Sequence, residues 1–122
     1  GAIHLLPALA DGWKNGKVKG LRARGGFEIN KITWNNGTLK NAEIKSTLGG
    51  NCRIRSYVPL QSSSISLKEV NNTSENSNPF FSTPKTAVPL IHGKLSDSQN
   101  LKKVYVYDIE TSIGEIIYLE SK

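Results

Sequence analysis

All four arginines of this chain stand in two R-x-R pairs, Arg22/Arg24 and Arg53/Arg55. Side chains two residues apart share one face of a strand, so each pair sets two guanidinium forks side by side. Three kinds of chemistry use that arrangement. The forks can form a charged outer face balanced by water, or dock onto an acidic or carbonyl-rich surface through bidentate contacts. They can also hold phosphates on a small nucleic-acid-binding barrel. Aromatics are sparse around the arginines. Residues 1–55 hold ten basic against three acidic side chains, leaving +7, while residues 56–122 balance at −1. A nucleic-acid partner is therefore the weakest of the three.

The other reactive side chains are scattered. His4 and His92 are the only histidines and lie too far apart in sequence for zinc-ligand spacing. Cys52 is the only cysteine, which excludes an internal disulfide and a thiolate metal cluster. Arg53 and Arg55, at i+1 and i+3, point away from it on a strand, so Cys52 reads as a small core residue rather than a reactive thiol. Asp108 and Glu110 share a strand face and suit either a hard cation or, better, a solvated acidic edge, as does Glu28. No nucleophile elbow, phosphate-binding loop or hydrolytic pair of carboxylates is present. Asn36-Gly37-Thr38, Asn71-Asn72-Thr73 and Asn72-Thr73-Ser74 fit the glycosylation sequon but carry little weight in loops this rich in such residues. No cofactor and no metal is expected.

The elements that position these groups are strands. No window sustains an i, i+3, i+4 apolar stripe, and short alternating runs recur instead. They predict strands at 18–24, 27–34, 38–48, 52–58, 64–70, 103–110 and 115–119. Asn35-Asn36-Gly37 marks a hairpin, because Asn and Gly tolerate positive φ. Gly25-Gly26, Gly49-Gly50 and Ser112-Ile113-Gly114 are further turns. Phe27 and Ile29 have odd parity, whereas Ile32 and Trp34 have even parity. One strand can send all four to a core only by losing register, so a bulge is expected near Asn30-Lys31. Seven or more short strands with regular turns give an antiparallel sandwich or a small barrel, and the expectation is an all-β antiparallel sandwich of about seven to nine short strands with an extended N-terminal segment. Trp34, Ile44, Ile54, Val58 and Val106 are its expected core.

Two stretches stand apart. Residues 71–78, NNTSENSN, are wholly polar and read as a solvated loop or a mobile excursion. Pro79, Pro84 and Pro89 punctuate an extended segment, with Phe80, Phe81, Val88, Leu90 and Ile91 expected to anchor on the core. The opening AIHLLPALADGW is too apolar for a solvent tail, lacks a strand pattern, and reads as something torn from a packed partner. The chain has no methionine, so Gly1 is read as a remnant of tag removal on a fragment of a longer protein. No run approaches the roughly 20 apolar residues that span a bilayer.

The order LLPAL (5–9), Trp13, Gly16, VKGLRARGGFE (18–28), Trp34, Gly37, LGGNCRIR (48–55) resembles the passage from catalytic barrel to C-terminal β-domain in glycoside hydrolase family 95, the α-L-fucosidase family. The likeness covers the first 58 or so residues and returns at VYVYDIETSIGEIIYL (104–119), similar to the closing hairpin of Bacteroidetes-type members. Ala10 departs from a usual proline, and the strand from Phe27 to Trp34 is one residue longer than the common pattern. Residues 60–100 match nothing recognisable.

The resemblance implies a parent with an N-terminal β-domain, a helical linker, a six-hairpin α/α barrel and this closing domain. It implies an inverting mechanism on fucosylated glycans, with a Glu acid and an Asn that activates water aided by an Asp. That Asp sits in an I-D-G-N-F-G motif ahead of the LLPAL segment. No such motif is present here, so no catalytic residue carries over. The expectation is a junction segment at 1–17 and a non-catalytic accessory domain at 18–122. Leu5, Leu6, Trp13, Arg22, Arg24, Arg53 and Arg55 would dock on the upstream barrel. A carbohydrate-binding module, making weak sugar contacts, is the alternative, with a basic nucleic-acid-binding barrel third. No nucleic-acid or membrane partner is expected. The parent is expected in the periplasm, or facing outward, in a Gram-negative bacterium.

Overall fold

The computed structural model describes residues 1–82, 87 and 102–122. These form ten strands: β1 (Ile3–His4), β2 (Gly16–Val18), β3 (Leu21–Ala23), β4 (Phe27–Asn35), β5 (Thr38–Ser46), β6 (Gly50–Ser56), β7 (Leu60–Gln61), β8 (Lys68–Glu69), β9 (Tyr105–Thr111) and β10 (Ile116–Ser121). A single 3-10 turn, Pro79–Phe81, is the only helical element among the described residues. The larger sheet runs β2-β4-β5-β10-β7, with β3 also on β4; the smaller runs β1-β6-β9-β8. All pairings are antiparallel except β1 with β6. The sandwich expected from the alternating runs is therefore the architecture of the chain.

One apolar cluster fills the space between the sheets. Phe27, Ile29, Ile32, Trp34, Ile44 and Ile117 reach it from the larger sheet; Cys52, Ile54, Tyr107 and Ile109 meet them from the smaller. The Tyr107 hydroxyl ties the layers by accepting a bond from the Leu60 amide at 3.1 Å. Of the five expected core residues, Trp34, Ile44, Ile54 and Val106 are buried, and Val58 is only partly so.

The register of β4 follows from its parity. Ile29 pairs with Ile44 and Lys31 with Glu43, so Asn30 is the extra residue and the bulge lies where the sequence requires it. A second, unexpected irregularity between Thr33 and Trp34 lets both Leu39 and Ala42 face inward. The expected strand 18–24 is broken into β2 and β3. The break at Lys19-Gly20 lies opposite the β4 bulge, and Gly20 takes φ +72° so that the edge can follow the bend. Arg24 thus falls in the turn after β3. Asn36 and Gly37, at φ +50° and +70°, form the two-residue turn between Asn35 and Thr38.

Three expectations change. The opening segment does carry a strand: β1 lies parallel to β6, and Ile3 and Leu5 join the core. Part of its apolar excess therefore serves this domain itself, through Ile3 and Leu5, while residues 7–15 carry no strand and lie largely at the surface. The expected strand 64–70 contracts to Lys68–Glu69 on the edge of the smaller sheet. The polar stretch 71–78 is solvated on its outer side only, because its inner side is fastened to the smaller sheet, as described below. Phe81 is buried and Phe80 is exposed; Pro84, Val88, Pro89, Leu90, Ile91 and His92 lie outside the described residues.

If Leu5 belongs to this core, Leu5→Ala should lower the unfolding free energy of the 122-residue chain by about 2–5 kcal/mol, the range for buried large-to-small changes. Trp13→Ala, at a residue 64% exposed, should cost much less. Urea denaturation of both variants checks this; equal midpoints would mean that Leu5 contributes nothing to the fold.

Candidate functional site: an inward arginine clamp and two open ends

Strand β6 explains why the two arginine pairs behave differently. Its even positions, Cys52 and Ile54, face the core, so Asn51, Arg53 and Arg55 face outward. Arg53 is nevertheless only 5% exposed. Its Nε donates to Asp108 Oδ1 at 2.6 Å and its Nη2 to Asp108 Oδ2 at 2.8 Å, a two-point pair across the ladder. Two further N–H groups reach the loop: Nη1 donates to the Ser74 carbonyl at 2.6 Å and Nη2 to the Glu75 carbonyl at 3.0 Å. One guanidinium thus binds a strand and a loop together.

Asparagines complete the attachment. Asn51 Nδ2 donates to Asn76 Oδ1 at 2.9 Å, and the Ile109 amide donates to Asn51 Oδ1 at 3.1 Å. The buried Asn78 donates to the Asn51 carbonyl at 3.0 Å and accepts from the Phe80 amide, capping the 3-10 turn. Asn76 Nδ2 reaches the Gly1 carbonyl at 2.8 Å. Arg55 donates to Asn72. The loop that composition marks as free is therefore a polar cover over the smaller sheet.

The charges follow this geometry. The Arg53 guanidinium beside Asp108 holds its carboxyl below the usual carboxylate range, although partial burial opposes this. Hydrogen bonding to Asp108 raises Arg53 in turn. Asp108 is committed to Arg53 rather than standing with Glu110 as a cation site or a solvated edge. Burial, with a smaller push from Asp108, raises the Cys52 thiol to about 12, so it stays protonated and inert at neutral pH. Burial and the neighbouring Arg55 lower His4, whose ring meets Tyr57 edge to face at 4.9 Å. Among the described residues no three His, Cys, Asp or Glu side chains converge as metal ligands.

The expected docking residues do not form one surface. Leu5 and Arg53 are buried within the domain, and Arg55 is half-buried under the loop. Arg22 and Arg24 are exposed, Arg22 lying 3.4 Å from Glu28. Arg24 adjoins Gly25 at one end of the sandwich, where Gly1, Leu48–Gly50 and Ile113 also lie. Leu6 and Trp13 lie at the other end, beyond the full nine-residue length of β4, about 30 Å away. There an open groove of about 620 Å³ runs between Leu6, Leu9, Trp13, Tyr57 and Val58. The Trp13 carbonyl accepts from Trp34 Nε1 at 2.8 Å, and Gly16 lies so close to the Trp34 ring that a Cβ there would come within 2.3 Å of it. The larger sheet's outer face offers Tyr118 beside a shallow recess with Lys31, Asn41, Glu43 and Glu120. One ring is a smaller platform than the row of aromatics typical of a sugar-binding face.

Residues 1–88 match the family model described as "Glycoside hydrolase family 95, C-terminal domain". The matched span runs well past residue 58 and stops short of the hairpin at 104–119. No curated protein matches the chain.

The clamp generates two expectations. Asp108→Asn leaves the Arg53 charge buried without its counter-ion and should cost about 3 kcal/mol, at the lower end for breaking a buried pair because Asp108 keeps some water contact. Because the folded-state pKa of Asp108 is depressed, its ionised form contributes fully above the ordinary value of 3.8, and that contribution is lost as pH falls through the lower folded value. The stability gap between wild type and Asp108→Asn should therefore narrow as pH drops below 3.8. Denaturant midpoints across pH read both; a gap independent of pH would remove the ion pair from the explanation.

Proposed function

The chain belongs to the C-terminal domains of glycoside hydrolase family 95, and from that membership we propose that it is the non-catalytic accessory domain of an inverting α-L-fucosidase. The observation that carries this reading is the fate of the junction-like segment. It is not a loose tether: β1 pairs with β6, Leu5 fills the core, and Asn76 holds the Gly1 carbonyl. A domain whose first strand is locked in this way has no slack of its own between its start and its core, so it can hold a fixed position beside a preceding domain. Its work is then packing against the catalytic barrel of the same parent chain.

The carboxylates support the same division of labour. Asp108 is engaged by Arg53, and Glu28 lies beside Arg22. The family's acid, its water-activating Asn and the assisting Asp belong to the barrel, whose substrates would be fucosylated glycans. The parent would work in the periplasm, or facing outward, in a Gram-negative bacterium of the Bacteroidetes type. Of the arginines, Arg22 and Arg24 are the pair free to meet a partner, as planar forks suited to carbonyls and carboxylates.

The 122-residue chain alone should not hydrolyse an aryl α-L-fucoside, whereas the full-length parent should do so with inversion, seen by NMR of the first-formed sugar anomer. Turnover by the 122-residue chain, abolished by replacing one of its own residues, would end the accessory reading. A full-length enzyme that ignores fucosides and cleaves another L-sugar would end the specificity assigned to the parent.

A further inference from the structure

The two open ends of the sandwich are not equivalent, and the path of the chain distinguishes them. Gly1 lies at the end formed by the Gly25-Gly26 and Gly49-Gly50 turns. A Cβ on Gly1 or on Gly25 would come within 2.7 or 2.9 Å of the same Phe81 ring, so the first residue and the β3–β4 turn flank one side chain. Asn76 fixes the Gly1 carbonyl there at 2.8 Å. The polypeptide preceding a C-terminal domain of this family therefore arrives at this end, and only then crosses along β1 to the Trp13 groove.

This end is also where exposed apolar side chains gather. Ile113 is 77% exposed, Phe80 55% and Leu48 53%. They are linked around the rim: Leu48 lies against Gly26, Ile113 against Gly49, and Phe80 adjoins the Phe81 that packs on Gly25. Gly25, Gly26, Gly49, Gly50 and Gly114 all take positive φ; Gly25 and Gly26 are covered by Phe81, Phe27 and Leu48, whereas Gly50 and Gly114 are exposed and leave backbone bare of any Cβ between these side chains. Arg24, exposed beside Gly25, adds a guanidinium fork at the rim. An apolar rim around bare backbone, flanked by a cation, is the composition of a buried contact with a charged border.

We infer that the glycine-turn end, bearing Leu48, Phe80, Ile113 and Arg24, is the surface that seats against the catalytic domain preceding this one, and that the Trp13 groove faces away from it. This rests on the accessory reading proposed above and names the face that reading leaves open. It moves the docking role from Leu6 and Trp13 to Leu48, Phe80 and Ile113, of which the sequence marked Phe80 as a core anchor and Ile113 as a turn residue, and keeps Arg24.

Hydroxyl-radical footprinting of the intact parent enzyme tests it, with each side chain's labelling rate compared with its rate in the denatured chain and Tyr118 as the exposed internal reference. Leu48, Phe80 and Ile113 should be protected several-fold more than their exposure in this domain implies, while Trp13 labels freely. Protection of Trp13 and Tyr57 with free labelling of Leu48 and Ile113 would overturn the inference and leave the accessory reading standing, with the groove as its docking face. Free labelling at both ends would overturn packing against the catalytic domain altogether.

Discussion

One guanidinium sets the terms for the smaller sheet. Arg53 sits on the outer face of β6, where a strand in a sandwich normally meets water, and yet it is buried. A buried cation is tolerable only when paired and hydrogen-bonded. Asp108 supplies the charge and accepts from two N–H groups, and the Ser74 and Glu75 carbonyls accept from two more of the five. The loop must therefore lie over the sheet, which covers β6 on both faces. The same loop brings Asn76 to Gly1 and Asn78 to Asn51, so the start of the chain, the loop and the sheet are held as one unit.

That arrangement is the structural basis of the accessory role proposed for this family 95 C-terminal domain. Locking the first strand makes the junction stiff, and a stiff junction transmits position rather than flexibility. The sandwich then presents two different ends. One combines bare glycine turns with exposed Leu48, Phe80 and Ile113; the other is a groove whose Trp13 is held by its backbone to Trp34 while its ring stays exposed. The arginines divide along the same line. Arg53 works inward, Arg55 is half-covered, and Arg22 and Arg24 remain at the surface.

Much of the fold was legible because it rests on parity. The switch from Phe27 and Ile29 to Ile32 and Trp34 required an extra residue, and the chain places it at Asn30. Asn36-Gly37 announced its turn through its tolerance of positive φ. Composition misled where it stood in for contacts. NNTSENSN looks solvated because polar residues usually are, but its Asn76 and Asn78 side chains are matched by Asn51, and its Ser74 and Glu75 carbonyls by Arg53, more than twenty residues away. A signal did exist: Asn51 and Arg53 are polar at alternate positions of β6, and Asp108 on a distant strand offers the complementary charge. β1 was missed because two residues carry no period, and its parallel partner lies some fifty positions on. The expected docking set combines the apolar opening segment with the two arginine pairs, and the fold places these at the two ends of the sandwich and on the outer face of the smaller sheet.

The claim on which this account turns is that Arg53 serves the interior of the domain and not a partner. A double-mutant cycle on the 122-residue chain, using Arg53→Met, Asp108→Leu and the pair together, measures it most directly by urea unfolding. Each single change strands a charge or its partners, whereas the double change removes both charges. Both single variants should be strongly destabilised and the double variant should recover much of the loss, with a coupling of about 2 kcal/mol or more. Effects that add to within about 0.5 kcal/mol would mean that the two residues act independently, and would return Arg53 to the surface chemistry it was first assigned.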